Sequence, residues 1–227
     1  VNYFAHGIRF VDRPLFLAGT AVPDWLSVID RSVRLRPRQV GPCVDAGDAD
    51  VAELAAGVLQ HLEDDRWFHR TRAFFEVTGT VAALFRAHVT ADDRFRASFL
   101  GHIVTELLLD RVLHEQHPAH LDRYYRALAD VDPRSLVDML RRMTGTELTR
   151  LGGFVSLFLR ERFLYDYAEP ARLRRRLNQV MHRVRLPELP VAAITVFEAG
   201  VDVVRERLRE LLPPAEFSWP TTCTPPA

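Results

Sequence analysis

The 227-residue chain contains no lysine, and all 30 of its basic residues are arginine. Mechanisms that need a lysine amine, such as a Schiff base or a phosphate-binding P-loop, are therefore excluded. Coding bias in a GC-rich genome is the bland origin of this composition. Cysteine is nearly absent: Cys43 and Cys223 lie far apart and form no C-x-x-C pair, which is the usage of a reducing compartment. No apolar run approaches the roughly 20 residues of a membrane span. The opening segment Val1 to Phe10 contains His6 and Arg9, too polar for the apolar part of a secretory leader. These features lead us to expect a cytoplasmic protein. There is no excess charge either: 30 acidic residues balance the 30 basic ones, so nothing pulls the chain towards nucleic acid or an anionic membrane. No nucleophile elbow, Walker motif or dinucleotide fingerprint occurs.

Strand patterns are also scarce, whereas helical spacing recurs throughout. Helices are expected over 2–10, 14–29, 50–66, 71–89, 94–115 and 148–166, with a long loop at 36–49. Asp132-Pro133, Glu169-Pro170 and Leu189-Pro190 mark three later helix starts, since proline suits the first helical position. The fold class is all-α, a multi-helix bundle. Residues 1–212 are read as one helical domain, with 1–115 as the half carrying the chemistry and 116–212 as C-terminal helices; 213–227 is a Pro-rich tail expected to fray.

The informative segment is Phe99 to Leu113. His102, Glu106 and Asp110 fall near 0°, 40° and 80° on one helix face, while leucine, valine, isoleucine and phenylalanine occupy most other directions. Such a helix is expected to be buried. A buried carboxylate without a partner costs several kcal/mol, roughly, so it must be paired, protonated or bound to a cation. His61, Asp65 and His69 repeat the spacing. The two stripes are expected to face each other across a helix–helix interface. Residues four apart are close enough to share one ion, and those eight apart are about 12 Å apart along the axis. His6 and Asp24 are further polar residues in apolar surroundings; alone they read as a core histidine and a helix cap.

Four blocks together resemble the acyl carrier protein phosphodiesterases, relatives of the HD-domain metal phosphohydrolases. They are Asn2-Tyr-Phe-Ala-His6, the segment Ala18 to Leu26 ending in Asp24 before an aromatic, Gly57-x-x-x-His61-x-x-x-Asp65, and Glu106-Leu-Leu-Leu-Asp110. They occur in the family's order over residues 1 to about 115. Glu106 replaces an Asp, Arg111 stands where the family has His, and Leu62 and Glu63 replace a basic pair.

The resemblance implies an HD-domain-like fold and a phosphodiesterase that releases phosphopantetheine from acyl carrier protein. It also implies His6, Asp24, His61, Asp65 and Asp110 as metal ligands. Asp65, Glu106 and His102 are then the candidates for acid–base or ligand roles, and Arg66, Arg70 and Arg111 for neutralising phosphate. Imidazole and carboxylate without thiolate point to Mn²⁺ first, with Fe²⁺, Mg²⁺ or Zn²⁺ as alternatives. The basic run Arg172, Arg174, Arg175, Arg176, Arg183 and Arg185 is either a docking face for an acidic carrier protein or a solvated helix face. Two other functions fit the same residues: hydrolysis of another small phosphoester or nucleotide, and a non-catalytic helical metal-binding protein.

Overall fold

The computed structural model describes residues 1–89 and 93–220. Among these residues every regular element is helical, and none is long and apolar enough to cross a membrane. The chain divides into two compact units. The first comprises Val1–Asn2, Trp67–Gln116 and Phe163–Ser218; the second comprises Tyr3–Arg66, His117–Arg162 and, of the described residues, 219–220.

In the second unit, α1 (Tyr3–Gly7) is buried along its whole length. It packs on α2 (Pro14–Ile29) and on α7 (Pro118–Ala129). The aromatic core explains why. Phe158, on α9 (Leu151–Glu161), meets Tyr3, Trp25 and Tyr125 at ring-centroid distances of 5.1, 5.4 and 5.7 Å. Full burial of each such ring contributes about 1.5–3 kcal/mol. Between α2 and α7 the chain forms α3 (Pro37–Val40) and α4 (Ala49–Phe68) in this unit, and α5 (Arg72–His88) and α6 (Ala97–Gln116) in the first. The segment 36–49 is thus not the loop expected from its prolines and glycines: α3 and a 3₁₀ helix over Gly41–Asp45 occupy most of it. Pro37 and Pro42 sit at helix starts, where a missing N–H costs nothing.

Two glycines determine how α2 meets α4. A methyl group on Gly19 would meet the Leu54 carbonyl oxygen, and one on Gly57 would meet the Phe16 carbonyl oxygen. The two backbones are in direct contact, which only residues without a side chain permit. Pro23 lies inside α2. It cannot donate to the Gly19 carbonyl one turn back, which loosens the hydrogen-bond ladder at residues 19–20.

In the first unit α5 and α6 pack against each other and both pack on α11 (Ala193–Glu206). Their buried residues keep helical spacing: Phe74, Val77, Val81 and Phe85 on α5, Leu100, Val104 and Leu108 on α6. Gly101 lets α6 lie close to α5: a methyl group there would meet the Thr78 carbonyl oxygen at 2.5 Å. Thr71 caps α5 by accepting from the Phe74 N–H at 3.1 Å. The expected start at Glu169-Pro170 opens α10 (Pro170–Arg183), whereas the Leu189-Pro190 helix begins at Ala193. Asp132 caps α8 (Pro133–Thr144) in the second unit, accepting from the Ser135 N–H at 2.8 Å. The start of the tail does not fray: Phe217 is 2% exposed, and its N–H donates to the Pro213 carbonyl. Residues 221–227, including Cys223, lie outside the described part.

Candidate metal centre

α1, α2 and α4 together place His6, His61 and Asp65 in one group whose candidate donor atoms all lie within 4.8 Å of one another. The His6 and His61 rings stack with centroids 3.8 Å apart and planes 24° apart. Their Nε2 atoms face the two oxygens of the same carboxylate: His6 lies 3.4 Å from Asp65 Oδ1, His61 3.6 Å from Asp65 Oδ2. Both rings are essentially buried, while the Asp65 side chain is 37% exposed.

The outer nitrogens are fixed from behind. His61 Nδ1 lies 2.8 Å from the Thr20 carbonyl oxygen. A carbonyl only accepts, so Nδ1 carries the hydrogen. Burial, then the charge on His6, lowers the His61 pKa to about 3. At neutral pH its Nε2 therefore carries a lone pair, and it faces Asp65 Oδ2 at 3.6 Å. His6 Nδ1 lies 3.2 Å from Asp64 Oδ2. Asp64 is ionised: burial would raise its carboxyl, but the hydrogen bond from His6 and the Arg9 guanidinium hold it below the usual range. It is also bound by Arg9 and by Gln60 Nε2, the latter at 2.9 Å. A carboxylate behind one imidazole and a backbone carbonyl behind the other is the kind of outer support that metal-binding histidines have.

His6 Nε2 has no hydrogen-bond partner among the described residues although the ring is fully buried. Burial lowers the His6 pKa, but the hydrogen bond to Asp64 and the charge of Asp65 outweigh it, so the value stands above 6.5. Two imidazoles and a carboxylate fit a first-row divalent ion, whose bonds of about 2.0–2.2 Å bring donors to roughly 3 Å apart. The separations here are wider, 3.4 and 3.6 Å from the imidazoles to the carboxylate oxygens.

His61 and Asp65 line a cavity of about 550 Å³ together with Asp24, Leu62, Arg31 and Arg34. Asp24 lies inside α2, not at its start. It borders the site without belonging to the donor group.

The remaining expected residues go elsewhere. The expected meeting of the two stripes is found at His69. His69, Glu106 and His102 form a second donor group within the first unit. The α6 stripe is not sequestered throughout, since the His102 side chain is 46% exposed. Asp110 is buried in the first unit and accepts a 2.7 Å hydrogen bond from Asn2 Nδ2. Arg66 pairs with Glu63 and Arg111 with Glu115, and Arg70 is exposed. Sequence reasoning missed Asp64, Gln60 and the Thr20 carbonyl, and it missed Arg31 and Arg34 at the cavity. A signal for Asp64 was present: Gly57, His61 and Asp64 keep the i, i+4, i+7 spacing of one buried face.

These features define a chain that is all-helical among the described residues, with a two-histidine, one-carboxylate donor group opening on a cavity edged by arginine. No protein-family model matches the chain, and neither does any curated protein or solved structure.

Proposed function

We propose that the chain is a metal-dependent phosphodiesterase whose site is built on His6, His61 and Asp65. The observation that supports this reading is the His61 lone pair, held by the Thr20 carbonyl so that it faces the Asp65 carboxylate at the edge of a cavity containing Arg31 and Arg34. When bound, a divalent ion supplies Lewis-acid polarisation of a phosphoryl oxygen and acidifies a water. His6, His61 and Asp65 hold that ion, and Asp64 and Arg9 keep the His6 ring oriented. Arg31 and Arg34 neutralise the substrate phosphate by paired N–H contacts. Asp24, outside the donor group but in the same cavity, orients the attacking water through its carboxylate.

The donor set favours Mn²⁺, Fe²⁺ or Zn²⁺ over Mg²⁺, which prefers oxygen and water ligands. Mn²⁺ is the ion we propose. An HD-domain-like arrangement belongs to the same proposal and rests on the sequence resemblance. The resemblance also supplies the specific substrate, the phosphopantetheine link of acyl carrier protein. The basic run on α10 offers less free charge for docking than its sequence suggests. Arg172 pairs with Glu169 at 2.6 Å, Arg174 donates to the Leu189 carbonyl at 2.8 Å, and Arg176 donates to Asp166 at 2.6 Å.

The test is hydrolysis of bis(p-nitrophenyl) phosphate and of holo-acyl carrier protein by the Mn²⁺-loaded chain and by His61→Ala and Asp65→Asn. We expect Mn²⁺-stimulated turnover that both substitutions reduce by about 100-fold or more, the scale of losing a principal electrostatic contribution to catalysis. Release of phosphopantetheine, compared with the generic diester, assigns the substrate. Metal uptake without hydrolysis of any phosphoester, or turnover indifferent to His61→Ala, would overturn the enzymatic reading.

A further inference from the structure

His69 follows the last residue of α4, and His102 and Glu106 stand one turn apart on α6. His69 Nε2 lies 3.0 Å and His102 Nε2 3.2 Å from one atom, Glu106 Oε1. The Val1 amino group also approaches that oxygen, at 3.5 Å. The two imidazole planes are 31° apart with centroids 5.1 Å apart, and Phe74 stands edge-on to both rings at 4.9 and 5.0 Å. One aromatic wall thus limits the rotation of both histidines. All three candidate donor atoms lie within 4.8 Å of one another.

We propose that His69, His102 and Glu106 form a second site for a first-row divalent transition metal, independent of the one built on His6, His61 and Asp65. Three features separate a binding site from a mere hydrogen-bonded cluster. The donors include two imidazoles converging on one carboxylate oxygen, a set that suits Zn²⁺, Co²⁺ or Ni²⁺ far better than Mg²⁺. The site has an entry path: the His69 and His102 side chains are 33% and 46% exposed, while Glu106 is 15% exposed. The scaffold is also stiff. His102 and Glu106 project from the same helix at the (i, i+4) spacing that lets two side chains share an ion. Two residues after His69 stands Thr71, whose hydroxyl donates to the Phe68 carbonyl at 2.9 Å and accepts from the Phe74 N–H. An ion there ties the residue after α4 to α6, and the half-exposed face leaves coordination positions for water or an added ligand.

The inference does not depend on the proposed phosphodiesterase activity, and its test keeps the two sites apart. Zn²⁺ bound per chain is measured by equilibrium dialysis for the wild type, His61→Ala and the double variant His69→Ala/His102→Ala, with helix content checked by circular dichroism. The double variant should bind one ion fewer than the wild type, whether or not His61→Ala also loses one. Equal stoichiometry in the wild type and a folded double variant would refute the site. A second measurement uses the unaltered chain. Diethylpyrocarbonate modification of His69 and His102, located by peptide mass analysis, should slow when Zn²⁺ is added and not when Mg²⁺ is added. Modification at the same rate with and without Zn²⁺ would refute the site equally.

Discussion

At the scale of single residues, the candidate metal centre depends on which nitrogen of each histidine carries hydrogen. Asp64 acts through His6, so Asp64→Asn leaves the three donors in place but removes the negative charge behind one of them. Mn²⁺ affinity should fall about 10–100-fold, the usual effect of an outer-shell loss, read by competition with a metal-sensitive dye at unchanged helix content. His61 gives a pH signature. Its pKa is lowered to about 3 in the folded chain, against about 6.5 when unfolded. A depressed value means that the unfolded chain binds more protons, so this contribution is intact above about pH 6.5 and declines as pH falls towards about 3. Denaturant midpoints of the metal-free protein should therefore fall less between about pH 7 and about pH 4 in His61→Gln than in the wild type. Equal slopes would contradict the burial of a neutral ring. The residues that met at the site were legible because an imidazole or carboxylate among apolar neighbours is conspicuous. Asp64 was not, because in sequence it sits in the polar run Glu63 to Arg66 and only its helix phase marks it as inward-facing.

At the scale of helices, the long periodic segments were readable, with ends shifted by a few residues. The helix α7 was overlooked although Pro118 gives the same start signal as Pro133 and Pro170. The reason is the high polarity of its sequence, which carries Asp122, Arg123 and Arg126 on the outer face. The expected pairing of the two stripes is seen where His69 meets His102 and Glu106; which members would meet was not legible, because spacing fixes which residues share a face and not the register between helices. The contact between α2 and α4 explains why Gly57 precedes His61 by one turn: it brings the ring to the Thr20 carbonyl. Gly57→Ala should cost about 1–3 kcal/mol, as overpacking does, and should weaken Mn²⁺ binding at the same time. A stability loss with unchanged Mn²⁺ affinity would show that the contact does not position His61. Asp132→Ala removes the cap of α8 and should lower the denaturant midpoint at neutral pH. The Asp132 carboxyl is held below its usual value chiefly by the Ser135 N–H, then by the Ser135 hydroxyl. The wild-type advantage should therefore persist above about pH 4 and vanish as the pH falls through the lowered value.

At the scale of the whole molecule, the all-helical class followed from composition and spacing alone, and the structure bears it out among the described residues. Division into two compact units was not legible, because each unit is assembled from segments distant in sequence. A ligand that binds only the folded chain raises its stability, by about 2.7 kcal/mol at 100 times its dissociation constant. Mn²⁺ at such excess should raise the melting temperature by several degrees, and a chelator should reverse the shift. An unchanged melting curve would argue against any preformed ion site. The contact at Gly19 and Gly57 also bears on attempts to reshape this protein. In a saturation library selected for a new substrate, every replacement at these two positions should be depleted, while Ser27, Val33 and Leu62 on the cavity wall accept variation. Diversity in the surviving clones would then collect along the rim of the cleft and be missing from the seam beneath it.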